Sequence, residues 1–139
     1  MDIATIDRSL VFPNVENLFV GFLGTRSELT GVTVGSELPS PFGGDSRAVV
    51  VTRVGGAFNE DDRLDVARVR VDAYALSKGV AHAVACVVRG VLPLIPQTRL
   101  AGGTVVADVS EEQGPYWVRD AEHTEIHRYL MRYRLVIKI

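Results

Sequence analysis

With a single cysteine, Cys86, the chain cannot close an intramolecular disulfide or build a thiolate cluster for a structural metal. Lying in an apolar run, Cys86 reads as a small buried hydrophobe. No run approaches eighteen apolar residues, so no membrane span is expected. A basic stretch followed by a long apolar run is missing from the N-terminus, so no secretory signal is expected either. Basic charge is not in excess: the net charge is −2 and the pI near 5.9, which weighs against a dedicated nucleic-acid binder. Chemistry-bearing motifs are equally scarce. There is no Gly-x-Ser-x-Gly elbow, and the pairs Gly43-Gly44, Gly55-Gly56 and Gly102-Gly103 lack the spacing and lysine of a phosphate loop. His123 and His127 are four apart, but on extended chain that spacing separates them by roughly 13 Å, too far to share a metal. His82 has no acid or thiol arranged for a relay. Glu60-Asp61-Asp62 lacks a calcium-loop pattern and reads as a solvated acidic turn. These absences predict a protein that is not an enzyme and needs no cofactor.

What is present is an ordinary globular composition, 47% hydrophobic and 23% charged over 139 residues. The length predicts one domain, 1–139, with residues 1–12 as an N-terminal arm. Its centre is the stretch Asp65 to Leu92. Ala67, Val69, Val71, Ala73 and Ala75 alternate with Arg68, Arg70, Asp72 and Tyr74, the pattern of a half-buried strand. At Ser77, a plausible N-cap, the period changes to that of a helix. From Ser77 to Leu92 only Lys78, His82 and Arg89 are strongly polar, so this helix needs cover on more than one side, from its own sheet and from a second helix or another subunit.

The flanks follow the same logic. Pro13 suits a first helical turn. Val15, Leu18, Phe19, Phe22 and Leu23 form an amphipathic stripe, and Gly24 is suited to end the helix in a left-handed conformation. Val32-Thr33-Val34 signals a strand closed by Pro39, and residues 39–46 read as loop. Ala48 to Val54 is a strand apolar on both faces. Gly55-Gly56 stops it, and a polar connection leads to the Asp65 strand, its antiparallel neighbour. Pro93 and Pro96 break the second helix, with Leu94 and Ile95 packing back onto the core. Thr104 to Val109 is a strand, Ser110 to Pro115 a turn, and Tyr116-Trp117-Val118 a short edge strand. A closing strand, Glu125 to Lys138, has one core-like face, His127, Tyr129, Met131, Tyr133, Leu135 and Ile137. Its other face carries Arg128, Leu130, Arg132, Arg134, Val136 and Lys138. The order is helix, three strands, helix, then two or three strands. This predicts an α+β fold: a mainly antiparallel sheet of five to six strands with two helices packed on it.

Three readings compete for the basic face, which Arg68 and Arg70 would broaden. It is the solvated side of a sheet, a surface for nucleic-acid phosphates, or a contact with acidic loops of a neighbouring copy, such as Glu60, Asp61 and Asp62 or Glu111-Glu112. Leu130 and Val136 among the charges favour the third, because apolar rungs in a row form a patch that water does not cover well.

The succession of elements resembles the tail terminator (tail completion) family of long-tailed bacteriophages, within the wider group of head-to-tail joining and minor tail proteins. The resemblance is carried by Pro13-Asn14-Val15-Glu16 through Leu23, Val32-Thr33-Val34 with Glu37-Leu38-Pro39, and Val49-Val50-Val51-Thr52-Arg53-Val54-Gly55-Gly56. It continues through Asp62-Arg63-Leu64-Asp65, Val69 to Ala75, the Ala/Val helix, Gly114-Pro115-Tyr116-Trp117 and Arg128 to Leu135. It runs over nearly the whole chain and lies in order and spacing, not in one motif. What it implies is a structural virion protein: a ring, usually a hexamer, that caps the tail tube, ends its polymerisation and joins the tail to the head connector. Its partners would be other copies of itself, the tail tube protein, the connector or stopper protein, and genomic DNA passing through the lumen unread, with no membrane. It would sit in the virion neck, after assembly in the host cytoplasm. Another neck protein (head completion or stopper) and a nucleic-acid-binding module are the alternatives. A ring uses two different patches per subunit. The over-apolar helix Ser77 to Leu92 and the basic terminal strand are the candidates for these, with the acidic turn as the contact of the basic face, and Pro41, Phe42, Gly43, Gly44, Gly55, Gly56 and Phe58 are candidates for loops docking on adjacent rings.

Overall fold

The structure is a computed structural model that describes residues 12–98, 100–119 and 121–139. The expected arm lies, apart from Phe12, outside the described residues.

The first helix, α1 (Val15–Gly24), starts where Asn14 accepts a hydrogen bond from the Asn17 amide at 3.1 Å. Pro13 therefore precedes the cap instead of opening the first turn, because the asparagine side chain supplies the acceptor that proline lacks. Val15, Leu18, Phe19, Phe22 and Leu23 are all buried, as their spacing predicts. Gly24 is the last helical residue and not a left-handed terminator; Thr25 follows with φ −94° and its hydroxyl donates to the Phe22 carbonyl at 2.9 Å. After a 3-10 turn at Ser27–Leu29 comes a short strand, β1 (Thr33–Gly35).

Next, β2 (Arg47–Asn59) and β3 (Leu64–Ala75) form a long antiparallel hairpin. The pairing was expected, but the glycine pair does not end the strand. It passes through a bulge between Arg53 and Gly55, after which the register resumes to Asn59↔Leu64. Gly56 has φ +117°, and a Cβ there would lie 1.9 Å from the Val66 carbonyl oxygen. Only glycine lets the two backbones approach this closely. The bulge is pinned by Arg53, whose guanidinium donates twice to Asp65 at 2.9 Å while its amide donates to Glu16 of α1 at 2.8 Å. Asp65 is 1% exposed, so this bidentate pair satisfies a carboxylate that burial would otherwise penalise.

The second helix, α2 (Lys78–Val91), is capped by Ser77, which accepts from the Val80 amide at 3.3 Å. A 3-10 segment, Leu92–Gln97, continues it through both prolines, with Leu92 and Ile95 buried. Together they make a helical run of 20 residues, with mean hydropathy 1.6 over an 18-residue window of it, long and apolar enough by length and composition to cross a membrane. That exceeds the sequence expectation, because the run continues helically through Pro93. One side of it belongs to the core: Ala81, Val84, Ala85, Val88 and Val91 are buried toward the sheet. Its outer side shows Gly79, Val80, Ala83, Cys86 and Gly90, all exposed. The helix is apolar overall because its outward residues are small, and among the described residues no second helix covers them.

The last two strands are β4 (Val105–Arg119) and β5 (His127–Lys138). Here the expected turn at Ser110 to Pro115 is replaced by continuous strand, which absorbs the irregular sequence in three register shifts. The closing strand begins at His127, two residues later than predicted. The sheet has five strands in the order β1-β2-β3-β5-β4, antiparallel throughout except for β1 and β2, which run parallel. This is the expected α+β architecture. Both helices lie on one face, α1 over β1 and β2, α2 over β3 and β5. Phe19, Leu23, Val49, Val51, Val69, Val71, Met131, Tyr133, Leu135 and Ile137 are buried between these two layers.

Candidate interaction surface

Period-two alternation and the β3–β5 register place the second side-chain set of both strands on the face without helices. Arg68 lies opposite Arg134, Arg70 opposite Arg132, Asp72 opposite Leu130 and Tyr74 opposite Arg128. The expectation that Arg68 and Arg70 share a face with the basic side of β5 is therefore met. Two like-charge pairs facing each other across strands are unfavourable. Asp72 relieves this: it is fully buried and accepts from Arg70 Nε and from Arg128 Nε, each at 2.9 Å. Glu112 of β4 accepts from Arg68 Nε at 3.2 Å. Arg132 and Arg134 make no ion pair among the described residues. Among the described residues the basic ladder of the sequence is thus half neutralised within the chain, and Arg132, Arg134 and the exposed Lys138 are the part without an acid.

The apolar rungs also differ from expectation. One end of this face carries a second, smaller core of Ala48, Val50, Tyr74 and Ile126, onto which Leu38, Phe42 and Leu76 pack. The connection 36–46, which carries the chain from β1 to its parallel neighbour β2, folds over the sheet there. Leu130 is 4% exposed, a core residue and not a rung on a surface; Val136 is half-buried. Phe42 is half-buried in the same core, while Pro41, Gly43 and Gly44 beside it remain exposed. Gly55, Gly56 and Phe58 belong to β2 and not to a loop, and Phe58 meets Phe12 edge-on with ring centres 4.7 Å apart.

Glu60, Asp61 and Asp62 are exposed at the tip of the β2–β3 hairpin. Asn59 ties the turn by donating to Asp62 Oδ2 at 3.1 Å and accepting from the Asp62 amide at 3.2 Å. Arg63 stands in the turn beside Asp62, and Leu64 pairs with Lys138, so these two are the basic residues nearest the tip. The Arg68–Arg134 row is four residues further in, about 13 Å away at ~3.3 Å per residue.

On the helix-covered side, Tyr133 is buried and donates to Glu111 Oε1 at 3.3 Å, while Arg89 of α2 meets the same carboxylate at 2.8 Å. Burial, reinforced by the Glu111 charge, pushes the Tyr133 phenol well above its ordinary range. His127 is half-buried, and His123 is exposed with Glu125 4.0 Å away. No group of three or more metal-ligating side chains occurs among the described residues. Cys86 is exposed, not buried, with its sulfur 3.6 Å from His82 Nε2 one helical turn away. Their i, i+4 spacing signals that contact, contrary to the reading of His82 as lacking a thiol neighbour. Sequence reasoning also missed Asp72 and Asp65. A carboxylate in a buried strand, two residues from arginine or twelve from one in the paired strand, was the available signal.

No family model matches the sequence, and no curated protein matches it. The fold is similar to that of a chain in the structure of the virion of a native gene transfer agent (GTA) particle. The TM-score is 0.64 with 14% identity, over 90% of this chain and 95% of that one.

Proposed function

We propose that this chain is a structural, non-enzymatic component of a phage-like virion. It forms a ring of six copies that caps the tail tube, ends its polymerisation and joins the tail to the head connector, with DNA passing through the lumen. The observation that carries this reading is the shared fold along nearly the full length of a chain from a GTA virion particle. The order of elements, which resembles the tail terminator family, supports the finer part. Each ring interface brings Arg132 and Arg134 of one copy, with Lys138, against the acidic tip Glu60-Asp61-Asp62 of the next. Such a heterologous contact joins two different patches of the subunit and gives a ring where the rotation between copies closes. The exposed residues Pro41, Gly43 and Gly44 face the adjacent ring.

Native mass spectrometry with negative-stain imaging, alone and with purified tail tubes, tests this. A closed ring with a central hole, free or on tube ends, is expected. A monomer under both conditions overturns the reading. Arg132→Glu combined with Arg134→Glu should abolish the ring and leave the chain folded, because each glutamate would face an arginine, Arg70 or Arg68, across the strand pair. Unchanged assembly in that variant removes the interface. The same two arginines also favour a second reading, nucleic-acid binding, which predicts DNA retention by the isolated chain with a steep salt dependence.

A further inference from the structure

The outer edge of β4 divides into two parts that are built differently. As the last strand in the sheet, β4 directs the N–H and C=O of every second residue away from its neighbour, an invitation to pair with another chain. The portion up to Tyr116 is defended against this. It holds three register shifts, the acids Asp108, Glu111 and Glu112, and Pro115, which has no N–H to offer. Residues 116–119 hold none of these. Tyr116, Trp117, Val118 and Arg119 pair in unbroken register with Leu130, Tyr129, Arg128 and His127.

This undefended edge also carries an anchor. Trp117 is 36% exposed, as is Tyr116. Its indole Nε1 donates to His127 Nδ1 at 3.2 Å, which holds the ring in place. Lys78 Nζ lies 4.9 Å from the ring centre and the Arg119 guanidinium carbon 5.5 Å. Neither cation makes an ion pair among the described residues. A pre-positioned tryptophan beside cations is the kind of group that dominates protein interfaces, because it loses little freedom on binding.

We propose that residues 116–119 of β4 are a docking strand for an extended acidic segment of a partner protein. The segment adds a sixth strand to the sheet, lays a side chain on Trp117 and sets its carboxylates against Lys78 and Arg119. Main-chain pairing requires an extended peptide, and two cations without an ion pair among the described residues call for acids. The proposal does not rest on ring formation, since this edge is remote from the hairpin tip: its partner strand ends there at His127, opposite Ala75, whereas the tip adjoins Lys138.

Trp117 is the only tryptophan, so its emission reports binding at this site alone. The probe is a short synthetic peptide alternating valine with glutamate. Its controls are the same peptide with lysine for glutamate, the glutamate peptide N-methylated at every peptide nitrogen, and oligothymidylate. A saturable change is expected with the glutamate peptide. It should weaken about tenfold or more on N-methylation and in the variant Lys78→Glu with Arg119→Glu, a factor of ten being ~1.4 kcal/mol. Both substitutions are at exposed positions and leave the core untouched. Three outcomes overturn the proposal: no saturable response to the glutamate peptide, equal binding of the lysine or N-methylated peptide, or a response to oligothymidylate in its place.

Discussion

The two faces of the sheet follow the same alternation but are stabilised by different means. On the helix-covered face Val49, Val51, Val69, Val71, Met131 and Leu135 are fully buried beneath α1 and α2. Stability there comes from apolar area removed from water, roughly 1.5–3 kcal/mol for each large side chain. On the other face a buried carboxylate, Asp72, organises Arg70 and Arg128, and a small apolar cluster occupies only one end. That face is held by charge pairing and, among the described residues, leaves Arg132, Arg134 and Lys138 without an ion pair. The lesson is that one face is closed by apolar packing, whereas the other is balanced by charge pairs that do not reach every cation on it.

Breaking the covered face should have the largest effect. Phe19→Ala removes a fully buried ring from α1 and should cost about 3–5 kcal/mol, read by denaturant unfolding. A loss below ~1 kcal/mol would mean that α1 is not integral to the core. On the opposite face, Asp72→Ala removes the carboxylate that Arg70 and Arg128 share, and Arg70 faces Arg132 across the strand pair. Arg70 and Arg128 keep 32% and 19% of their side-chain surface, so water compensates them in part, and a loss of about 1–3 kcal/mol is expected. Raised salt should recover some of it by screening the repulsion, and a salt-independent loss would assign the effect to packing instead.

The smallest effect sharpens the comparison at a polar site inside the covered face. Tyr133→Phe deletes the hydrogen bond to Glu111 and should cost about 0.5–1.5 kcal/mol. Its signature is in pH. The folded phenol ionises above its ordinary range, whereas the unfolded one ionises near ~10, so the unfolded state loses its proton first. Stability contributed by Tyr133 is therefore complete below that pH and is lost as pH rises beyond it. Thermal unfolding of Tyr133→Phe should show a shallower alkaline decline than the parent; parallel curves would mean that the phenol does not titrate differently in the two states.

Much of the fold was legible. The α1 stripe, the Ser77 cap, the alternation of β3 and β5 and the β2–β3 pairing all follow from local chemistry. The irregular strands were not. Gly55-Gly56 and the stretch 110–115 carry residues that signal turns, yet both lie inside strands, because a paired neighbour can absorb an extra residue as a bulge. The parallel pairing of β1 and β2 was invisible for a related reason: β1 is only three residues long, and its direction depends on the path of the connection that folds over the far face. Of the candidate interaction residues, the shared face of Arg68, Arg70, Arg132 and Arg134 followed from periodicity once the strands paired. Which of them remain unpaired did not.

By itself the sequence determined which side chains share a face and where the second helix begins, since both depend on backbone period and on groups within a few residues. The tertiary structure alone decided which strands became neighbours, where Gly56 had to let two backbones meet, and which charges found an acid. Those outcomes depend on hydrogen bonds and contacts between residues far apart in the chain, such as Arg53 with Asp65 and Arg128 with Asp72. No local pattern encodes them.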